Sequence, residues 1–402
     1  MSVYALMIVS NSVTYDPRVR AEARSLVRQG HRVTVLGWNR GGEEPREEVI
    51  EGATVFRLSN TRAMRLLPFD LLRLRPWREA ALREAMKIHE REPIDLVHCH
   101  DLDTLPIGVR LKRELRLPLL YDAHEIWGYM VLKDLPPPLP SYFLAKERRL
   151  APHADHIVTV NEPLRAYFEG MASSVTVILN AKPVQGTSYE PPRNPTFTVL
   201  YIGSLNPNRF LLESVETVQN LEGVHFRIGG IGKPAYVASL RRRVGRSENV
   251  EFLGRVPYED VLPLTRKADA ILALFDPRDR LTRVGLPNKA FEAMAGGRPT
   301  IVSEGTYLAE FTKEHGLGLV VEHSREGLRE GLVQLRDDPH FREELGRRAY
   351  QKAQEEFGWK HQEEELFRVY DELTRAGHPR FPGPGGERTP APARGGEGGR
   401  SP

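Results

Sequence analysis

Cysteine is almost absent: Cys99 is the only one in 402 residues. A single thiol excludes an internal disulfide framework and any cysteine-rich zinc site. Net charge is equally scarce, since 57 Lys and Arg meet 54 Asp and Glu and leave +3 overall. Such a balance supplies no general field for gripping nucleic acid. Long apolar runs are lacking too. Val3–Val9 falls far short of the ~18 residues of a spanning helix, and no basic segment precedes it as in a signal peptide. What remains is a globular balance, 40% hydrophobic and 28% charged, at a length that suits two or three domains. These features predict a cytoplasmic protein.

Short β-branched runs alternate with longer amphipathic stretches, the mark of parallel βα units. The first series has strand candidates at Tyr4–Ser10, Arg32–Gly37, Thr54–Leu58, Asp95–His98, Leu119–Asp122, His156–Val160 and Val175–Leu179. The second has Thr198–Gly203, Val224–Gly229, Val250–Leu253, Ile271–Phe275, Thr300–Ser303 and Leu319–Val321. Between them, Ala181–Thr196 carries Pro183, Pro191, Pro192 and Pro195, too much proline for a helix or an inner strand. The chain therefore divides into a domain over 1–180, a linker over 181–196 and a second domain over 197–358. The last 27 residues, 376–402, hold 8 Gly and 6 Pro and read as a disordered tail.

Doubly wound sheets bind ligands outside the carboxyl ends of their strands, so the segments after each strand carry the chemistry. In Gly285–Pro299, Pro287 suits the first turn of a short helix and Gly296-Gly297 ends it. A helix start favours an anion, Lys289 adds a full charge, and Glu292 follows on the same face within reach of a ribose diol. An ordinary Lys–Glu surface pair would have the same spacing. A second segment, Gly203-Ser204-Leu-Asn-Pro-Asn-Arg209, offers bare backbone for a phosphate and a guanidinium to pair with it. A third, Gly229-Gly230-Ile-Gly232, is bare enough to lie against a nucleobase.

These three segments resemble family 4 of the retaining glycosyltransferases. Further agreement lies in Asp16-Pro-Arg18-Val, Val97-His-Cys-His100-Asp101-Leu-Asp, Tyr121-Asp-Ala-His124-Glu125 and Ala154–Asn161. The resemblance runs over roughly residues 1–375. It implies a GT-B fold, two Rossmann-like doubly wound α/β domains facing across a cleft, with a last helix over 359–375 crossing back to the first domain. It also implies that Arg209 and Lys289 neutralise the donor diphosphate and that Gly203, Ser204, Gly230, Gly232 and Asn288 line the donor site. Glu292 would hold the ribose as the second acid of a Glu-x7-Glu motif, and His124 would face the donor sugar. The donor would be a UDP- or GDP-linked sugar, the acceptor a glycan or lipid-linked glycan, and no cofactor is needed. Three positions depart from the family pattern. Val284 stands at the first acid, Ser204 stands where many members have arginine, and Ser10–Thr14 lacks paired glycines.

Asp16 is first an N-cap, and with Arg18, His100, Asp101 and Glu125 it is expected at the cleft on the acceptor side. His98 and His100 share a strand face, but a metal needs three or four convergent ligands and none is expected here. Two other functions are consistent with parts of the chain. Gly230-Ile-Gly232-Lys-Pro-Ala235, with Glu251 beyond it, fits a weak dinucleotide fingerprint, and Val284 fits a non-catalytic scaffold. Finally, the stretch 62–77 mixes four arginines with leucines, Phe69 and Trp77, which suits contact with an anionic membrane at its inner face. Pro68 and Pro76 are expected to interrupt any long helix there, which would favour core packing instead.

Overall fold

Strands buried on both faces read as unbroken apolar runs, and in the computed structural model β1 (Tyr4–Ile8) is buried at every residue. The structure describes residues 2–131, 135–184, 186 and 188–375, so the expected tail lies outside the described residues. The first sheet continues with β2 (Arg32–Asn39), β3 (Glu47–Ile50), β4 (Ala53–Ser59), β5 (Leu96–His100), β6 (Leu119–Ala123), β7 (His156–Thr159) and β8 (Val175–Val177). Its order is β3-β4-β2-β1-β5-β6-β7-β8. The second sheet contains β9 (Phe197–Leu205), β10 (Val224–Gly232), β11 (Val250–Gly254), β12 (Ala270–Ala273), β13 (Thr300–Ser303) and β14 (Gly318–Val321), ordered β11-β10-β9-β12-β13-β14. Every pairing is parallel except that of β3 with β4. Both sheets reverse order beside their first strand, which opens a crevice at the carboxyl ends.

Each strand read from the sequence forms; β3 is the one missed. Glu47-Glu-Val-Ile50 is half exposed and lies on the sheet edge as the partner of a hairpin. Its polar alternation carries little burial signal.

Helix ends follow their local chemistry. Asp16 accepts from the backbone N–H of Arg18 and Val19, and Pro17 opens the helix Pro17–Arg28. Pro76 corrects an expectation, because it lies inside a helix of 22 residues, Asp70–Arg91. The ring removes one hydrogen bond near the helix start, while Trp77, fully buried, stacks on Trp38 at 5.1 Å. An anchor of that size offsets the roughly 3 kcal/mol of an interior proline.

The helix Trp359–Arg375 crosses back onto the first domain. Leu366, Val369 and Tyr370 are fully buried among β1 and β2 residues, and Trp359 donates its indole N–H to Ser25 Oγ at 2.9 Å. We expect Leu366→Ala to cost about 2–5 kcal/mol, the range for emptying a buried leucine site. Urea unfolding monitored by tryptophan fluorescence measures it; a loss under 1 kcal/mol would mean the crossing helix is not integral to the first domain.

Candidate active site

Strand β6 ends in Asp122-Ala123, and the next two residues, His124 and Glu125, emerge at the crevice. Asp122 is fully buried and organises this end of the sheet. Its carboxylate accepts from Arg18 Nε at 2.8 Å and Nη2 at 2.9 Å, and lies 3.1 Å from His124 Nε2. Burial penalises its charge, but Arg18 and His124 outweigh that and hold it well below the ordinary carboxylate range. His124 is pinned from the other side by Asp101, whose carboxylate accepts its backbone N–H at 3.2 Å and lies 3.5 Å from Nδ1. Burial works against a charged ring here too, yet Asp101 and Asp122 raise its pKa to about 10, while burial pushes Asp101 itself up to about 7, so the pair favours a proton on His124. Asp101 holds this position with φ +60°, a left-handed conformation uncommon for a residue with a side chain.

Behind them lies a closed polar cluster. His100 Nδ1 is 3.3 Å from both Asp122 and His124, His98 Nδ1 bonds Tyr370 OH at 3.0 Å, and Glu22 approaches Arg18 Nε at 3.1 Å. Glu22, His98, His100 and Asp122 present ligand-type atoms within 4.8 Å of one another, so the convergent set thought to be lacking around the histidines does exist. Arg18 lies among them and already supplies the positive charge that the Asp122 carboxylate requires. Burial first, and then the adjacent Asp122, push the Glu22 acid well above its usual range.

Two expectations for the cleft are thereby corrected. Arg18 does not reach it: the guanidinium is buried and also donates to Ile178 O at 2.8 Å and Asn180 Oδ1 at 3.1 Å. His100 is fully buried behind His124. A guanidinium on the first turn of an inward-facing helix face finds the buried carboxylates before it finds solvent.

Between the domains is a cavity of about 220 Å³. His124, Glu125, Asn161 and Asn180 border it from the first domain; Arg209, Thr282, Val284 and Asn288 border it from the second. Arg209 ends a single 3-10 turn, Pro207–Arg209, set by Asn206 accepting the Asn208 N–H, and its guanidinium stacks 4.4 Å over Phe275. Lys289 is close by but buried, donating to Ile202 O at 2.9 Å over the Tyr201 ring. Burial lowers its pKa to about 7, with Glu292 pulling it up and Arg209 pushing it down. Asn288 opens the helix Asn288–Gly296, which has no side-chain N-cap. Glu292, one turn on, faces a second cavity of about 310 Å³, bordered also by Lys182 and Tyr258.

The glycine segments are not loops. Gly203 and Ser204 lie in β9, Gly230 and Gly232 in β10, and Gly203 pairs with Gly230 in register. A Cβ at Gly230 would sit 1.8 Å from Gly203 O, so this strand contact by itself requires glycine there. The dinucleotide fingerprint fails in the same place, because its glycines are paired strand residues rather than a strand-to-helix turn. Glu251, its acid, sits at the start of β11 and is paired with Arg227 at 2.7 Å. Asn161, Asn180 and Lys182 were missed as site residues; each follows a strand of the first sheet, which is the signal that could have found them.

Residues 15–181 match the glycosyl transferase 4-like domain, and residues 196–338 match glycosyl transferases group 1. The chain is 24% identical over 392 residues to an uncharacterised glycosyltransferase of Methanocaldococcus jannaschii, covering 89% of this chain and 95% of that one. It is 26% identical over 329 residues to the succinoglycan biosynthesis protein ExoL of Rhizobium meliloti, covering 76% and 78%. In structure it is similar to Anabaena HepE in complex with UDP and glucose, with TM-score 0.67 and 15% identity over 92% of this chain and all of that one. The two parallel-sheet domains thus form a GT-B fold.

The buried cluster yields a pH test. A carboxyl whose folded pKa is raised binds a proton that the unfolded chain releases, so it loses stability as pH rises from ~4.5 toward its folded value. We expect Glu22→Gln to remain folded and to flatten the decline of thermal stability from pH 5 to neutrality. An unchanged slope in a thermal-melt series would show that Glu22 is ionised.

Proposed function

We propose, on the premise that this chain belongs to the glycosyltransferases built from a 4-like half and a group 1 half, that it moves a sugar from a nucleoside diphosphate donor to a hydroxyl acceptor with retention of configuration. The observation carrying this reading is the cavity whose two walls differ in kind. One wall presents Arg209 and the uncapped start of the Asn288–Gly296 helix, both suited to an anion; the other presents His124 and Glu125. As the bond from sugar to diphosphate breaks, negative charge grows on the leaving oxygen and positive charge on the anomeric carbon. Arg209 and the helix start would stabilise the former without rearranging, and a protonated Lys289 would add its charge from behind the cavity wall. No residue is assigned as a covalent nucleophile, and attack by the acceptor hydroxyl on the same face as the departing group accounts for retention. Uridine or guanosine diphosphate would carry the sugar, with Glu292 at the ribose. The name of the ExoL relative supports a place in polysaccharide assembly, with a glycan or lipid-linked acceptor.

Val284 favours a second reading, a non-catalytic scaffold. Its carbonyl accepts from Asn161 Nδ2 at 2.8 Å, and its side chain packs on a cluster with Val160 and Leu164, so it joins the domains instead of serving as an acid. Turnover decides between the readings. We expect donor hydrolysis or transfer by the purified protein, and Arg209→Ala to reduce it ~10²–10³-fold, as for other electrostatic clamps. A screen of UDP- and GDP-sugars that finds neither turnover nor binding would favour the scaffold.

Membrane contact by the 62–77 stretch is also proposed. Met64, Leu74 and Trp77 pack inward, but Leu66, Phe69 and Leu72 stay exposed beside Arg62, Arg65 and Arg75. No helix among the described residues is long and apolar enough to cross a membrane, so contact would be peripheral. Arg73 is held by Asp70 and the Leu67 carbonyl, which makes Arg62 and Arg65 the better probes. Co-sedimentation with anionic vesicles at low salt should be seen for the wild type and lost in Arg62→Glu with Arg65→Glu. Absence of wild-type binding refutes the contact.

A further inference from the structure

Lys182 lies in the segment between the two sheets, where a lysine ordinarily extends into water, yet only 8% of it is exposed. Its backbone carbonyl accepts the N–H of Trp359, the first residue of the crossing helix, at 3.3 Å. Its ammonium lies 3.4 Å from Asn288 Oδ1 and 5.6 Å from the centre of the Tyr258 ring. No carboxylate among the described residues lies within ion-pair distance of it. A buried ammonium met by a neutral amide and an aromatic face, with no counter-charge, is half of an ion pair.

Its position identifies the other half. Asn288 borders the cavity with Arg209 and His124, whereas Lys182 borders the cavity with Glu292 and Tyr258. The Lys182–Asn288 contact is therefore the partition between the two spaces. A nucleoside diphosphate sugar with its sugar at His124 and its ribose at Glu292 must pass its phosphates across that partition, beside the free N–H groups of the helix start. We infer that Lys182 is a donor ligand supplied by the interdomain segment, its ammonium pairing with the phosphate next to the ribose. This rests on the proposed donor. It adds to it a cation from outside the group 1 half, on the segment that leads from the first sheet to the second, so that donor binding ties this segment to the Asn288–Gly296 helix.

Titration calorimetry with UDP and GDP, their monophosphates and the free nucleosides tests this on the full chain. Lys182→Gln should weaken both the mono- and the diphosphate by about 10- to 100-fold, the range for a charge-assisted hydrogen bond, and leave the nucleoside unchanged. Lys182→Arg should restore most of the loss. Arg209→Ala serves as the contrast, weakening the diphosphate much more than the monophosphate. Equal affinities in wild type and Lys182→Gln, at matching melting temperatures, overturn the inference and leave the proposed donor intact. Equal losses for nucleoside and nucleotide also overturn it, because Lys182 would then only shape the cavity. If the wild type binds no nucleotide, the proposed donor fails and the inference fails with it.

Discussion

A carboxylate with no access to water must be answered by positive charge, and the first domain is arranged around that need at Asp122. Left alone, such a buried ion would cost several kcal/mol. Arg18 answers it with two hydrogen bonds, and this fixes the helix Pro17–Arg28 against the end of β6. The rest of the guanidinium goes to Ile178 O and Asn180 Oδ1, fixing the chain where it leaves β8 for the second domain. What Arg18 leaves unanswered falls to His124, whose raised pKa is the counterpart of the lowered pKa of Asp122. One buried charge thus orients a cleft residue, a helix and the exit of the first sheet. Since its partners are themselves ionised, removing Arg18 would strand a charge and cost ~3–5 kcal/mol, more than an exposed ion pair contributes.

The second domain solves a different problem, bringing a cation to the cavity on a rigid support. Strands β9 and β10 stay paired through Gly203–Gly230 and beyond, to Leu205 with Gly232. That close pairing excludes side chains at Gly230, and it carries the chain far enough for the turn at Pro207–Arg209 to project a guanidinium over Phe275. The glycines thus act through the strand, extending β9 to Leu205 so that the turn after it ends in Arg209.

Much of this was legible in the sequence because parallel strands buried on both faces leave apolar runs, and because helix starts and stops such as Asp16-Pro17 and Gly296-Gly297 have local chemistry. Arg209, Asn288 and Glu292 stand out as candidates for the same reason: they sit in the turn after a strand or in the opening two turns of a helix. Three things were hidden. Glu47–Ile50 has no apolar face to betray a strand. Pro76 misled because local propensity cannot weigh the burial of Trp77, contributed by tertiary packing. Arg18 and Glu22 are more than 70 residues from His98 and His100, and the cluster forms because β5 pairs with β1, the strand that leads into the helix of Arg18 and Glu22. Polar residues on a strand look like cleft residues until the opposite layer is known.

The distribution of charge over the cavity explains why both domains are needed for one site. The cation Arg209 and the helix start come from the second domain, while the charged or polar groups His124, Glu125, Asn161 and Asn180 come from the first; on the proposed donor the former would meet the phosphates and the latter the sugar. Val284 and Leu281 form an apolar strip between them, on the side where the family pattern would begin with an acid. A hydroxylated sugar gains nothing from that strip beyond dispersion, so hydrogen bonding to it must come from the opposite wall. The separation of the walls then becomes a chemical variable, and the Asn161–Val284 hydrogen bond sets it: one partner borders the polar side, the other the apolar side, and 2.8 Å holds them in register. If the chain carries out the proposed transfer, valine in place of an acid at this position would move sugar recognition across the cleft and make it depend on the contact between the domains.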